Sequence, residues 1–131
     1  MNDIFKVRVW NVSGGYYLPE FYLTPSGEVC EFGVFNGTPQ VRKFDNQENY
    51  RKERCTGLTD RNGKLIFAGD FVKVVGGGMF EHGMTFEVVD GISRWQIRNC
   101  GNYKHYNKYH DLDIGSMFEI IGNIHEMEVP Q

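Results

Sequence analysis

Between Thr56 and Val75 the chain reads TGLTDRNGKLIFAGDFVKVV, which reverses direction twice within a few residues. Asn62-Gly63 is a tight hairpin dipeptide, because both residues tolerate the positive φ that such turns demand. Gly69-Asp70 supplies the second reversal. Lys64 to Ala68 and Phe71 to Val75 then read as short strands, the second rich in β-branched and aromatic residues. A stretch that turns this often leaves no room for a long helix. The rest of the chain repeats the pattern, with 16 glycines, ten Phe and seven Tyr in 131 residues. That mixture suits short strands and tight turns, not a helical bundle built from Ala, Leu, Glu and Lys.

Before this stretch, Ile4 to Trp10 alternates apolar and polar, the mark of a half-buried strand. Ser13-Gly14-Gly15 turns the chain into Tyr16-Tyr17. Phe21 to Thr24 and Glu28 to Phe32 form a hairpin across Pro25-Ser26-Gly27. Gly33 to Pro39 reads as loop, and Val41 to Phe44 as one more short strand. Asp45 to Arg54, DNQENYRKER, is the most polar run and reads as a solvated loop or a short exposed helix. After it, Gly76-Gly77-Gly78 lacks the Lys-Ser/Thr of a phosphate loop and reads as a hairpin loop. Thr85 to Val89 and Ile92 to Ile97 are strands joined at Asp90-Gly91. Asn99 to His110 reads as loop, Asp111 to Ser116 as a single helical turn, and Met117 to Ile124 as the last strand, expected against the GDFVKV strand with both faces covered. The expected architecture is all-β: an N-terminal β-sheet region over 1–44, a polar linker over 45–55, a C-terminal small SH3-like β-barrel over 56–126 packed with it, and a loose tail over 127–131.

Three pieces of the chain also resemble one family. TGLTDRNGKLIFAGDFVKV looks like the signature of YopX-type proteins, found mainly in bacteriophages and prophages. Phe5 to Asn11 with Tyr16 and Tyr17 is similar to that family's opening strand, and Ile120-Ile121-Gly122-Asn123-Ile124-His125-Glu126 to its closing IGNI-x-E. The resemblance implies an all-β fold with a small C-terminal barrel and a more apolar strand entering TGL than Arg51 to Cys55 offers. It implies no reaction. The Gly69 to Val74 segment also looks like the opening of small SH3-like barrels, some of which bind RNA or proteins, but the Gly-Asp pair has a folding role and names no ligand.

Charge and residue spacing narrow the function classes. The net charge of −3 argues against a generic nucleic-acid binder. Cys30, Cys55 and Cys100 are odd in number and form no CxxC pair, so they read as free thiols in a reducing cytosol. With no secretory leader and no long apolar run, the chain reads as cytoplasmic, in a bacterial host cell. His105 and His110 with Asp111 and Asp113 match no strict metal template, and Glu81, His82, Asp90, Asp113 and Glu119 form no catalytic spacing. No enzyme, cofactor or metal is expected.

The one uneven segment is Gly91 to His110, which has no acidic residue but carries Arg94, Arg98, Lys104 and Lys108 among Trp95, Tyr103, Tyr106 and Tyr109. If a partner site exists, it is expected at Arg94, Arg98, Lys104, Tyr106 and Lys108. The preferred partner is a host or phage protein, since Tyr, Trp and Arg are the usual hot-spot residues. The alternative is a nucleic acid, held by cations and stacked on aromatics. No membrane partner is expected, and self-association stays open.

Overall fold

A computed structural model describes residues 6–78, 80–91, 94–101 and 107–126. The elements are β1 (Val7–Asn11), β2 (Tyr16–Tyr17), β3 (Tyr22–Leu23), β4 (Val29–Phe35), β5 (Thr38–Lys43), a 3-10 turn (Gln47–Asn49), β6 (Tyr50–Thr59), β7 (Leu65–Phe67), β8 (Asp70–Val74), β9 (Thr85–Asp90), β10 (Trp95–Asn99), β11 (Tyr109–Asp111) and β12 (Phe118–Asn123). Every assigned strand pairing is antiparallel. The all-β expectation therefore holds. No helix among the described residues is long and apolar enough to cross a membrane. Two compact units can be distinguished, residues 8–53 and the described parts of 1–7 with 54–131.

In the larger unit, five strands form a curled half-barrel sheet in the order β11-β10-β9-β8-β12. Its inner residues, Val72, Val74, Phe86, Val88, Ile97 and Phe118 among them, make one apolar core with Ile66, Met84, Leu112 and Phe80. β12 pairs β8, with Phe118 opposite Val74 and Asn123 opposite Asp70, which places the closing motif against the GDFVKV strand as expected. Ile120 and Ile121 are only half-buried, so the expected cover on both faces is partial. The second half of β6 pairs β7 through a bulge between Cys55 and Thr59.

The turn chemistry explains these pairings. Gly63 and Gly69 have φ of 82° and 92°, conformations that cost a side-chain-bearing residue dearly. Gly63→Val and Gly69→Val should each lower stability by about 2 kcal/mol through backbone strain. Thermal melts check this; unchanged midpoints would contradict the turn assignment.

In the unit 8–53, β1 lies between β2 and the first half of β6, and β3-β4-β5 form a separate sheet. Its apolar core is small: Val9, Val29 and Cys30 are buried. Polar clamps do the remaining work. The Gln47 side chain accepts from Val29 N at 2.7 Å and donates to the carbonyls of Val29 and Phe44 at 2.9 and 2.7 Å. Asn11 Oδ1 accepts from Asn49 Nδ2 at 2.8 Å and from Gly14 N at 2.9 Å.

The polar run up to Arg54 is neither loop nor helix beyond Asn49: Tyr50–Thr59 is the longest strand. It can be a strand because Glu53, though charged, is buried as the acceptor of Arg8 Nε at 2.7 Å and Tyr17 Oη at 2.9 Å. A buried carboxylate is tolerated when paired in this way. The Gly33 to Pro39 loop is instead a continuation of β4 and β5 around a tight turn, with Asn36 at φ 53° and Gly37 at φ 80°. Two left-handed residues in succession match the right-handed twist of a hairpin. β9 ends at Asp90 and β10 begins only at Trp95, so Asp90-Gly91 is not a two-residue turn. Tyr109–Asp111 is a strand where loop was expected, and Asp111 to Ser116 holds no helical turn. The expected tail from Met127 lies outside the described residues.

Candidate functional site

The motif residues serve the fold. Thr56 Oγ1 donates to Ile66 O at 2.8 Å and accepts from Leu58 N at 3.1 Å, which holds the bulge around Gly57 at φ 82°. Asp60, 3% exposed, accepts from Asn62 N and Lys64 N at 2.9 Å and from Ile120 N at 3.0 Å. Burial would push its carboxyl up, but those donations and the Lys64 charge outweigh burial and hold it below the ordinary aspartate value. Asp70 accepts from Phe67 N at 2.8 Å. Asn123 accepts from His125 N at 2.9 Å and donates to Glu126 at 2.8 Å, which accounts for the Asn and Glu of the closing motif. These side chains are occupied in turns and joints, so a functional surface has to be sought elsewhere.

Of the five expected partner-site residues, Lys104 and Tyr106 lie outside the described residues. Arg98 stands opposite Glu87 on β9 and Tyr109 on β11, and donates to the Glu87 carboxylate. That hydrogen bond, against some burial, holds the guanidinium still further into its charged form. Arg94 leaves the sheet and pairs with Asp111 at 3.0 Å. Lys108 is exposed, with Nζ 5.8 Å from the centre of the Tyr109 ring. A neighbouring Arg54 grips Asp90 through two hydrogen bonds of 2.9 Å and lies 5.2 Å over Trp95. Strand register thus sets carboxylates from outside the acid-free window beside three arginines and weakens their outward field. His110 packs edge-on against Phe80 and Phe86, with centroids 4.9 and 6.1 Å away. Burial pushes the Cys100 thiol up, away from a reactive thiolate.

The uncovered apolar surface lies in the other unit. Of nine large hydrophobic residues exposed among the described residues, seven fall within 8–53. Three are neighbours on the β4–β5 hairpin: Phe32 (57% exposed), Val34 (67%) and Val41 (50%). The register sets Phe32 opposite Val41 and Val34 opposite Pro39, so alternation gathers all four on one face. Tyr22, opposite Cys30, adjoins that face and is also exposed. The reverse face is finished off differently. Phe35 folds its ring over Gly33, and the Arg42 guanidinium sits 4.5 Å above that ring, with Glu31 opposite Arg42. The hairpin is an amphipathic ribbon whose polar side is satisfied and whose apolar side faces water. With Gly33 to Pro39 expected as loop, the shared face of Phe32 and Val34 comes from the β4–β5 register and not from the sequence.

A small antiparallel all-β protein with one curled five-stranded sheet is the class that this architecture defines. The model of the family described as YopX protein matches residues 8–128, and the chain belongs to the YopX family. Its fold is similar to that of the crystal structure of protein yopX from Bacillus subtilis, at 17% identity and a TM-score of 0.62, covering 100% of both chains. Protein EF1440 from Enterococcus faecalis is similar at 20% identity and a TM-score of 0.55, covering 92% of this chain and 93% of that one. No curated protein matches the sequence.

Proposed function

We propose that this protein acts by binding another protein, without chemistry of its own, as a phage- or prophage-type accessory factor in the bacterial cytoplasm. The observation that carries the reading is the ribbon face of Phe32, Val34, Pro39 and Val41, apolar and open to water. Exposing such a cluster costs solubility and hydration free energy, and contiguous apolar patches of this kind mark interaction surfaces. The nucleic-acid alternative is less well supported, because Arg54, Arg94 and Arg98 already face carboxylates. Affinity capture from a bacterial lysate, with and without nuclease, tests both. Phe32→Ser combined with Val41→Thr should abolish capture without moving the melting temperature, while Arg98→Glu combined with Lys104→Glu should leave capture intact. Capture that nuclease removes and that falls steeply with salt would favour nucleic acid instead.

A further inference from the structure

We infer that Asn36, at the tip of the β4–β5 ribbon, is a self-modification site. Its side-chain amide is converted to a carboxylate by attack of the Gly37 backbone nitrogen, while the same dipeptide at Asn62-Gly63 is protected by the fold. The inference is independent of the binding reading above.

The chemistry needs only the chain and water. The Gly37 nitrogen gives its proton to solvent and bonds to Asn36 Cγ. The Cγ–Nδ2 bond breaks, and that nitrogen leaves as ammonia. Water then opens the resulting five-membered imide at either carbonyl, giving aspartate or isoaspartate, with no change of oxidation state. A glycine after the asparagine suits the step, because no Cβ shields its nitrogen. The sequence holds this dipeptide twice, at Asn36-Gly37 and at Asn62-Gly63.

Access does not separate the two sites. All four residues are exposed. A Cβ on either glycine would meet nothing within 4 Å, and the glycines hold nearly the same φ, 80° and 82°. Hydrogen bonding does separate them. Ring closure requires the peptide after the asparagine to rotate until its nitrogen meets Cγ. At the second site, Gly63 N donates to Asp60 O at 3.0 Å. The buried Asp60 carboxylate also accepts from Asn62 N and Lys64 N, on either side of that peptide, at 2.9 Å. Rotation there disrupts a joint that holds β12 as well, through Ile120 N. At the ribbon tip, neither Gly37 N–H nor the Asn36 side chain has a hydrogen-bond partner among the described residues. Only the end of the ladder, Phe35 opposite Thr38, has to fray, and local opening is cheapest at such ends. The reaction leaves one negative charge at the tip of the apolar face, beside Val34 and Pro39. In the isoaspartate product the main chain also gains a carbon within a two-residue turn, whose geometry sets how the flanking strands pair.

Incubation of the whole chain at mildly alkaline pH, with peptide mapping by mass spectrometry at successive times, tests this. In the folded protein Asn36 should convert at least about ten-fold faster than Asn62, the least that one hydrogen bond to a charged group is worth. In concentrated denaturant the two rates should converge, because the bonds that protect Asn62 are then gone. Equal rates in the folded protein, or faster conversion at Asn62, overturn the inference. So does an Asn36 that converts in denaturant but not in the folded chain, or a ratio that denaturant leaves unchanged.

Discussion

Asp60→Ala should be among the most damaging single substitutions in this chain, costing about 3 kcal/mol, since a hydrogen bond to a charged group is worth about 1.5–3 kcal/mol and the two donors in the exposed turn can recover part of the loss from water. Three N–H groups would lose their acceptor together: Asn62 and Lys64 in the β6–β7 turn, and Ile120 in β12, sixty residues away. The carboxylate is thus both the organiser of the turn and the pin that holds the last strand beside it. Arg61 N, which donates to Phe118 O at 2.8 Å, belongs to the same joint. Denaturant unfolding measures the loss. The pH dependence has a definite sign. Because the folded carboxyl lies below its ordinary value, its contribution is complete above the unfolded pKa of about 4 and is lost as pH falls through the folded one. Wild-type stability should therefore drop in acid, and Asp60→Asn should be weaker at neutral pH yet lack that share of the decline. Parallel acid profiles for the two proteins would contradict the role assigned to Asp60.

Gly115→Ala should cost about 3 kcal/mol, as overpacking against backbone does. A Cβ built on Gly115 lies 2.2 Å from Thr59 O and 3.1 Å from Ile66 Cδ1. The carbonyl belongs to β6 and cannot rotate aside as a flexible side chain would. Relief requires moving the segment that leads into Phe118, which is itself a buried core residue. The melting temperature should fall by roughly 10 °C. Gly78→Ala is the control: a Cβ there meets nothing within 4 Å, so its midpoint should stay put. Equal melting of the two variants would show that the Thr59 contact is absent.

Local chemistry was legible in the sequence; what depends on distant partners was not. Gly63 and Gly69 turn where their neighbours said they would, because φ preference is a property of the residue itself. Asn36-Gly37 bears the same dipeptide and turns likewise, although Gly33 and Pro39 on either side give the segment the composition of a loop. The β6 run looked solvated because its buried position is a glutamate. Only Arg8 and Tyr17, far away in the chain, make that burial affordable. The field of the cationic window depends on distant partners in the same way. Its composition is free of acids, yet strand register sets Glu87 and Asp111 beside Arg98 and Arg94. Phe32 and Val34 share a face only because β4 runs on to Phe35, and whether another layer covers that face is decided by topology.

Side-chain footprinting of the protein alone and in bacterial lysate decides whether the ribbon is the binding face. Phe32, Val34 and Val41 should label strongly in the isolated protein and lose labelling in lysate, while Trp95 and Tyr109 change little. Protection appearing at Trp95 and Tyr109, with the ribbon labelled equally under every condition, would contradict it.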